Sequence, residues 1–158
     1  MATFHFIVTS PEETLRFAKK IGEKLQSGDI ITLDGGLGAG KTHFTKGIAA
    51  ALHVTKTVYS PTFINIKEYD GRLPLYHMDV YRIESEEADE LGLEEYFEGK
   101  GVCVIEWAEK ITEFLPKERL EIYIERHATE ERHFYLHAHG TRWKKLCEEL
   151  EEDENISN

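Results

Sequence analysis

A chain of 158 residues, 41% of them hydrophobic, is long enough for one domain with a proper core. It holds no run of about 18 apolar residues that could span a membrane. Its formal net charge of −11 argues against a free-standing nucleic-acid binder, which needs a basic face, and reads more simply as solubility. The segment Met1 to Phe6 lacks the basic region and cleavage site of a signal peptide. Cys103 and Cys147 stand apart without metal-ligand spacing, so a reduced, cytoplasmic setting is expected.

In chain order, Phe4 to Val8 reads as a first strand. Ser10-Pro11-Glu12-Glu13 reads as a helix start, with Ser10 as N-cap, Pro11 at the first helical position and Glu13 closing a capping box. Leu15, Ala18, Ile21, Gly22 and Leu25 continue a helical stripe that ends at Ser27-Gly28-Asp29. Asp29 to Asp34 is a short apolar run rich in β-branched residues, a buried strand.

Gly35-Gly36-Leu37-Gly38-Ala39-Gly40-Lys41-Thr42 follows, and fits the phosphate-binding pattern of G, four residues, then G-K-[ST]. Behind it, Phe44, Ile48, Ala51 and Leu52 give a helical spacing over Lys41 to Leu52. Strand, glycine turn and helix form the context that the motif needs. Glycines allow the backbone to wrap round an anion, and the helix N-terminus adds partial positive charge. Lys41 is expected on the β- and γ-phosphates, Thr42 Oγ1 on Mg²⁺, and the His43 backbone N–H near the α-phosphate.

Beyond Ser60-Pro61-Thr62, strands are expected at Phe63 to Tyr69 and Leu73 to Val80, joined by the hairpin signal Asp70-Gly71-Arg72. Ser85 to Phe97 reads as an acidic helix broken at Gly92. Gly101 to Trp107 is a buried strand, and a short helix then stops at Leu115 before Pro116. Leu120 to Glu125 and His133 to His139 alternate as an antiparallel pair. Trp143 to Leu150 is a last helix, closing a single domain over 1–150, with 151–158 as an acidic, disordered tail.

A phosphate loop needs a carboxylate at the end of a neighbouring strand for Mg²⁺ or its waters. Glu106, after four apolar residues, and Asp79, after Leu73 to Met78, both fit. Thr62 is either a γ-phosphate-sensing threonine, as in nucleotide switches, or part of a plain turn. Trp107 either packs on the site or is an ordinary core tryptophan. Arg126 and Arg132 flank the late hairpin turn, where one arginine could reach a nucleotide. His133, His137 and His139 have no acidic or cysteine partner placed by the sequence and read as surface histidines. The chain has no Asn-Lys-x-Asp guanine-selecting motif, which favours ATP over GTP.

The runs Leu37 to Thr42, Ser60 to Phe63, His77 to Arg82 and Ile105 to Trp107, in that order, resemble the TsaE (YjeE) family. These are bacterial ATPases of tRNA threonylcarbamoyladenosine biosynthesis. The resemblance runs from about Ser10 to Arg132. It implies an α/β, P-loop NTPase-like fold with a central mixed sheet flanked by helices. It also implies weak Mg²⁺-dependent ATP hydrolysis, and work with the transferase subunit TsaD and its paralogue TsaB on the adenosine next to the anticodon of tRNAs reading ANN codons. tRNA would be met through that complex. By position, the phosphate loop from Gly38 through Ala39, Gly40, Lys41 and Thr42 carries over as the nucleotide cradle. Glu106 carries over as the Mg²⁺-site acid, Asp79 as a second activity-critical acid, Thr62 as the switch-like threonine and Trp107 as the tryptophan beside the nucleotide. Arg132 aligns with a late basic residue. Gly36 stands where the family often has aspartate, and Met78 and Val80 replace commoner apolar residues. Two rivals remain at this stage: a small-molecule kinase, for which no arginine-rich lid is seen, and a non-hydrolysing nucleotide-binding module.

Overall fold

The computed structural model of the chain describes residues 2–36, 38–56, 58, 66–83 and 92–156. Leu37, Ser60, Thr62 and the acidic stretch 84–91 lie outside the described residues. The strands are β1 (Ala2–Val8), β2 (Ile30–Asp34), β3 (Ile66–Tyr69), β4 (Leu75–Asp79), β5 (Val102–Glu106), β6 (Arg119–Arg126) and β7 (Arg132–His139). The helices are α1 (Pro11–Glu23), α2 (Lys41–Ala51), α3 (Leu93–Phe97) and α4 (Thr141–Ile156), with a 3₁₀ helix at Ala108–Phe114.

The strands form one seven-stranded sheet in the order β1-β7-β6-β2-β5-β4-β3. Its centre, β6-β2-β5-β4, is parallel, and both edges are closed by antiparallel strands. The mixed α/β fold expected from the sequence is thus present. Burial explains the arrangement. β2 and β5 are apolar on both faces, as a central parallel strand must be. Ile31, Leu33, Val102 and Val104 face α1, α2 and α4, whereas Ile30, Cys103 and Ile105 face α3 and the 3₁₀ helix. β6 and β7 alternate, burying Leu120, Ile122, Ile124, Phe134, Leu136 and Ala138 on one side only.

The start of α1 follows its sequence signature with one shift. Ser10 Oγ accepts the Glu13 N–H at 3.1 Å, but Glu13 reaches back to the Thr9 N–H, at 2.6 Å, one residue earlier than a strict capping box. Phe17 of α1 joins Phe6, Phe44 and Phe134 in an aromatic cluster with centroid separations of 5.0 to 6.4 Å. The helical stripe had offered Leu15 for this face, and Phe17 occupies it instead.

The C-terminal tail needs a correction. Residues 151–156 are helical, continuing α4, rather than a disordered extension of it. Trp143, Leu146, Cys147 and Leu150 anchor the helix in the core. Acidic residues beside and beyond them meet lysines of the first helix and its C-cap: Lys20 with Glu154 at 3.0 Å, and Lys24 with Glu149 at 3.2 Å and Asp153 at 3.9 Å. An acidic run reads as disordered only when no basic surface lies opposite, and α1 supplies one. The β3–β4 turn also departs from a simple two-residue hairpin. Arg72 donates its N–H to the Leu52 carbonyl at 2.6 Å, and a Cβ on Gly71 would lie 2.3 Å from that same oxygen.

α1 and α2 pack almost backbone to backbone. A Cβ on Gly47 would stand 2.5 Å from the Ala18 Cβ and 2.8 Å from the Leu15 carbonyl oxygen. The opposing backbone cannot yield as a side chain could. Gly47→Ala is therefore expected to lower stability by about 1–3 kcal/mol through overpacking, although alanine is the better helix former by about 1 kcal/mol. The urea midpoint measures this; an unchanged or raised midpoint would contradict the packing argument.

Candidate functional site

α2 begins abruptly at the glycine turn. Its N-cap, Gly40, has φ 106° and offers no side chain to the first helical N–H groups. Gly35 and Gly38 also take positive φ, at 148° and 78°. Substitution at Gly35 is blocked sterically as well, since a Cβ there would lie 2.4 Å from the Ile124 carbonyl oxygen. Around Gly38 nothing lies within 4 Å of the corresponding position. The loop thus presents open backbone at a helix N-terminus, a geometry that suits an anion.

Lys41 is buried, at 6% exposure, and its ammonium is held by the loop itself. Nζ donates to the carbonyls of Gly35, at 2.7 Å, and Gly36, at 3.0 Å, and lies 4.0 Å from the Trp107 ring centroid. Burial lowers its pKa, while Glu106, Asp34 and Asp79 oppose the shift by favouring the charged form. Trp107 adopts left-handed backbone, φ 63°, a strained state for a bulky residue. Its N–H donates to the Leu33 carbonyl at 2.9 Å, and its ring leans on Tyr81 at 4.7 Å. Trp107 is therefore a wall of the site.

Parallel register sets the two strand-end acids level. Asp79 pairs with Glu106 across β4 and β5, and Glu106 pairs with Leu33 across β5 and β2. Glu106 is only 4% exposed. Its Oε2 accepts from Thr42 Oγ1 at 3.3 Å and makes a short contact with Nε2 of His77, which is fully buried. Glu106 and Thr42 thus stand together, as residues sharing one Mg²⁺ ion must, and a hydroxyl and a carboxylate are the hard oxygen donors that Mg²⁺ takes. Asp79 Oδ1 accepts the Tyr81 N–H at 2.9 Å; burial raises its pKa, and the neighbouring Glu106 charge adds to that.

The sequence reading missed His77 as a site residue. A histidine two places before a strand-end acid, on the same strand face, is the signal that was there to use.

Arg132 reaches the loop from β7. Its Nε donates to the Ala39 carbonyl at 2.9 Å, and Nη1 gathers the carbonyls of Ala128, Thr129 and Glu131 at 3.1–3.2 Å. It braces the loop from the far hairpin. His43 contacts the Pro11 carbonyl through Nε2 at 3.0 Å. Between them runs a groove of about 290 Å³ lined by Pro11, Thr14, Gly40, His43, Thr129 and Arg132. Arg126 donates to the same Ala128 carbonyl.

Asp34, at the end of β2, lines a second cavity of about 250 Å³ beneath the 3₁₀ helix. Burial pushes its pKa up to about 6, against the pull of the Glu109 N–H that it accepts at 3.1 Å. The folded state therefore holds this proton more tightly than the unfolded one, and stability falls as pH rises from about 4 to about 6. Asp34→Asn keeps an acceptor for Glu109 without the buried charge. Thermal unfolding should show it more stable than the parent near pH 7.5, with the difference vanishing near pH 4; a pH-independent difference would contradict this assignment.

Comparison with known proteins agrees with this architecture. The family model described as "Threonylcarbamoyl adenosine biosynthesis protein TsaE" matches residues 8–134. A Bacillus subtilis protein named "tRNA threonylcarbamoyladenosine biosynthesis protein TsaE" is 56% identical over 150 residues, covering 94% of both chains. A Treponema pallidum protein of the same name is 45% identical over 68% of this chain and 81% of its own. The crystal structure of Bacillus subtilis YdiB superposes with a TM-score of 0.85 at 49% identity, covering 97% of each chain. With its P-loop-like sheet and these relatives, the chain belongs to the TsaE family of threonylcarbamoyl adenosine biosynthesis proteins.

Proposed function

We propose that this chain is a Mg²⁺-dependent ATPase that acts as a switch on a TsaD-type threonylcarbamoyl transferase and its TsaB-type paralogue. The complex forms threonylcarbamoyladenosine next to the anticodon of tRNAs reading ANN codons, and this chain meets tRNA only through it. The names of the relatives from Bacillus subtilis and Treponema pallidum support the pathway. The observation that carries the ATPase reading is the contact of Thr42 with Glu106 at the mouth of the Lys41 loop.

The backbone of Gly38, Ala39, Gly40, Lys41, Thr42 and His43 would hold the phosphates, and Thr42 with Glu106 would hold Mg²⁺. Mg²⁺ held there would supply positive charge to offset the charge that develops on the phosphates. Lys41 must exchange the Gly35 and Gly36 carbonyls for phosphate oxygens, so nucleotide binding replaces an internal contact with an external one. Trp107 shields that exchange from water. Asp79, level with Glu106 and inclined by burial to take a proton, suits the orientation of an attacking water. The groove beside Gly40 and His43, with Arg132 at its rim, is where the base would lie. Thr62, the candidate γ-phosphate sensor, falls outside the described residues.

ATP turnover by the purified chain, alone and with TsaD and TsaB added, is the deciding measurement. Stimulation by the pair is expected, and turnover that appears only with a metabolite acceptor would overturn the switch reading. Lys41→Ala should abolish turnover; wild-type rates in that variant would contradict the loop assignment. Glu106→Gln, which leaves acceptors for His77 and Thr42, should reduce turnover by about 100-fold while nucleotide affinity falls far less. Equal loss of both would make Glu106 a purely structural residue.

A further inference from the structure

We propose that the β6–β7 turn is a binding site for a divalent late-transition cation of the Zn²⁺ type, held by His127, Glu131 and His133. Nothing in the ATPase reading uses these residues. The sequence shows a histidine on each side of a hairpin turn, but only the pairing of β6 with β7 closes them on one another. One donor atom from each of His127, Glu131 and His133 lies within 4.8 Å of the others. Glu131 Oε2 and His133 Nε2 are 2.9 Å apart. Two ligands on a tetrahedral ion with bonds of about 2.1 Å are about 3.4 Å apart, so this pair has to part by only about 0.5 Å to admit one.

The surroundings supply the outer partners that metal-bound histidines require. A ligating imidazole usually donates its other N–H to a carboxylate or another acceptor, which fixes its tautomer and orientation. His133 Nδ1 lies 2.8 Å from His5 Nε2, leaving Nε2 for an ion. His127 Nε2 contacts Glu125 Oε1, leaving Nδ1 for the same ion. The His127 and His133 rings stack with centroids 3.5 Å apart, and His127 is exposed, so an ion from solvent can reach the pair. His137 and His139 are engaged elsewhere, against Thr3 and Glu121. Two imidazoles and one carboxylate favour Zn²⁺, Ni²⁺ or Cu²⁺ over the hard, oxygen-seeking Mg²⁺.

The Arg132 side chain joins the turn to the phosphate loop. Arg132 lies between Glu131 and His133 in sequence and ties the turn carbonyls of Ala128 and Thr129 to Ala39. An ion at the turn would hold the same backbone that Arg132 grips.

Zn²⁺ titration of the full chain by calorimetry, in excess Mg²⁺ to saturate the Thr42–Glu106 site, tests the assignment. One equivalent is expected to bind with a micromolar or tighter constant. Co²⁺ in its place should give visible absorption bands. His127→Ala and Glu131→Gln, both at the exposed turn, should each weaken binding at least about tenfold, with circular dichroism in chelator unchanged. His139→Ala should leave binding intact. Absence of saturable one-equivalent binding would overturn the site. So would binding that survives the two turn substitutions together, or that is lost in Glu106→Gln instead.

Discussion

A carboxylate removed from water must find compensating partners, and at Glu106 two other elements supply them. The acid ends β5, His77 comes from β4 and Thr42 from α2. Leaving any one of these groups alone in the interior would cost several kcal/mol or more. The three elements are therefore locked in one relative position. Parallel register then determines what else arrives at that level: Asp79 beside Glu106, and Leu33 at the root of the glycine loop. The close α1–α2 contact at Gly22 and Gly47 holds α2 down on the sheet, so that Thr42 stays within reach of the acid.

The glycine loop holds a cation of its own, the Lys41 ammonium. Lys41 donates to two loop carbonyls and lies over the Trp107 ring. Gly40 offers no side chain to the first N–H groups of α2. Trp107 accepts a strained backbone to serve as this wall, and strain of that kind persists only where the surroundings enforce it. Here the Leu33 carbonyl and the Tyr81 ring do so. The acids around Lys41 preserve its charge against desolvation, which is the property a phosphate-binding lysine requires.

The antiparallel half of the sheet serves the loop from the other side. β7 carries Arg132, whose guanidinium ties the hairpin turn to Ala39, and it carries the histidine face that continues onto β1 and β6. Among the described residues, long helices cover one face of this half, and the other face carries polar and aromatic residues together with the exposed Ile7. That one-sided burial is the reason β6 and β7 alternate, while β2 and β5 do not.

Much of this was legible locally. The strand, glycine loop and helix around Lys41, the cap at Ser10 and the two strand-end acids are written in adjacent residues. Backbone conformation and helical or strand periodicity depend on short stretches of chain. The family motifs likewise sit in contiguous runs. Other features were not legible, for one shared reason: each depends on a surface made by distant residues. His77 is a site residue only because β4 and β5 are parallel and in register. Asp153 and Glu154 meet Lys24 and Lys20 only because α1 and α4 lie side by side. Gly71 is required by a carbonyl of α2, and Glu131 meets His127 and His133 only across a closed hairpin. The sequence by itself determined the strand, glycine loop and helix around Lys41 and the fold class, because both rest on local geometry. The tertiary structure alone decided which charges meet, because an ion pair or a buried hydrogen bond depends on distance in space rather than along the chain.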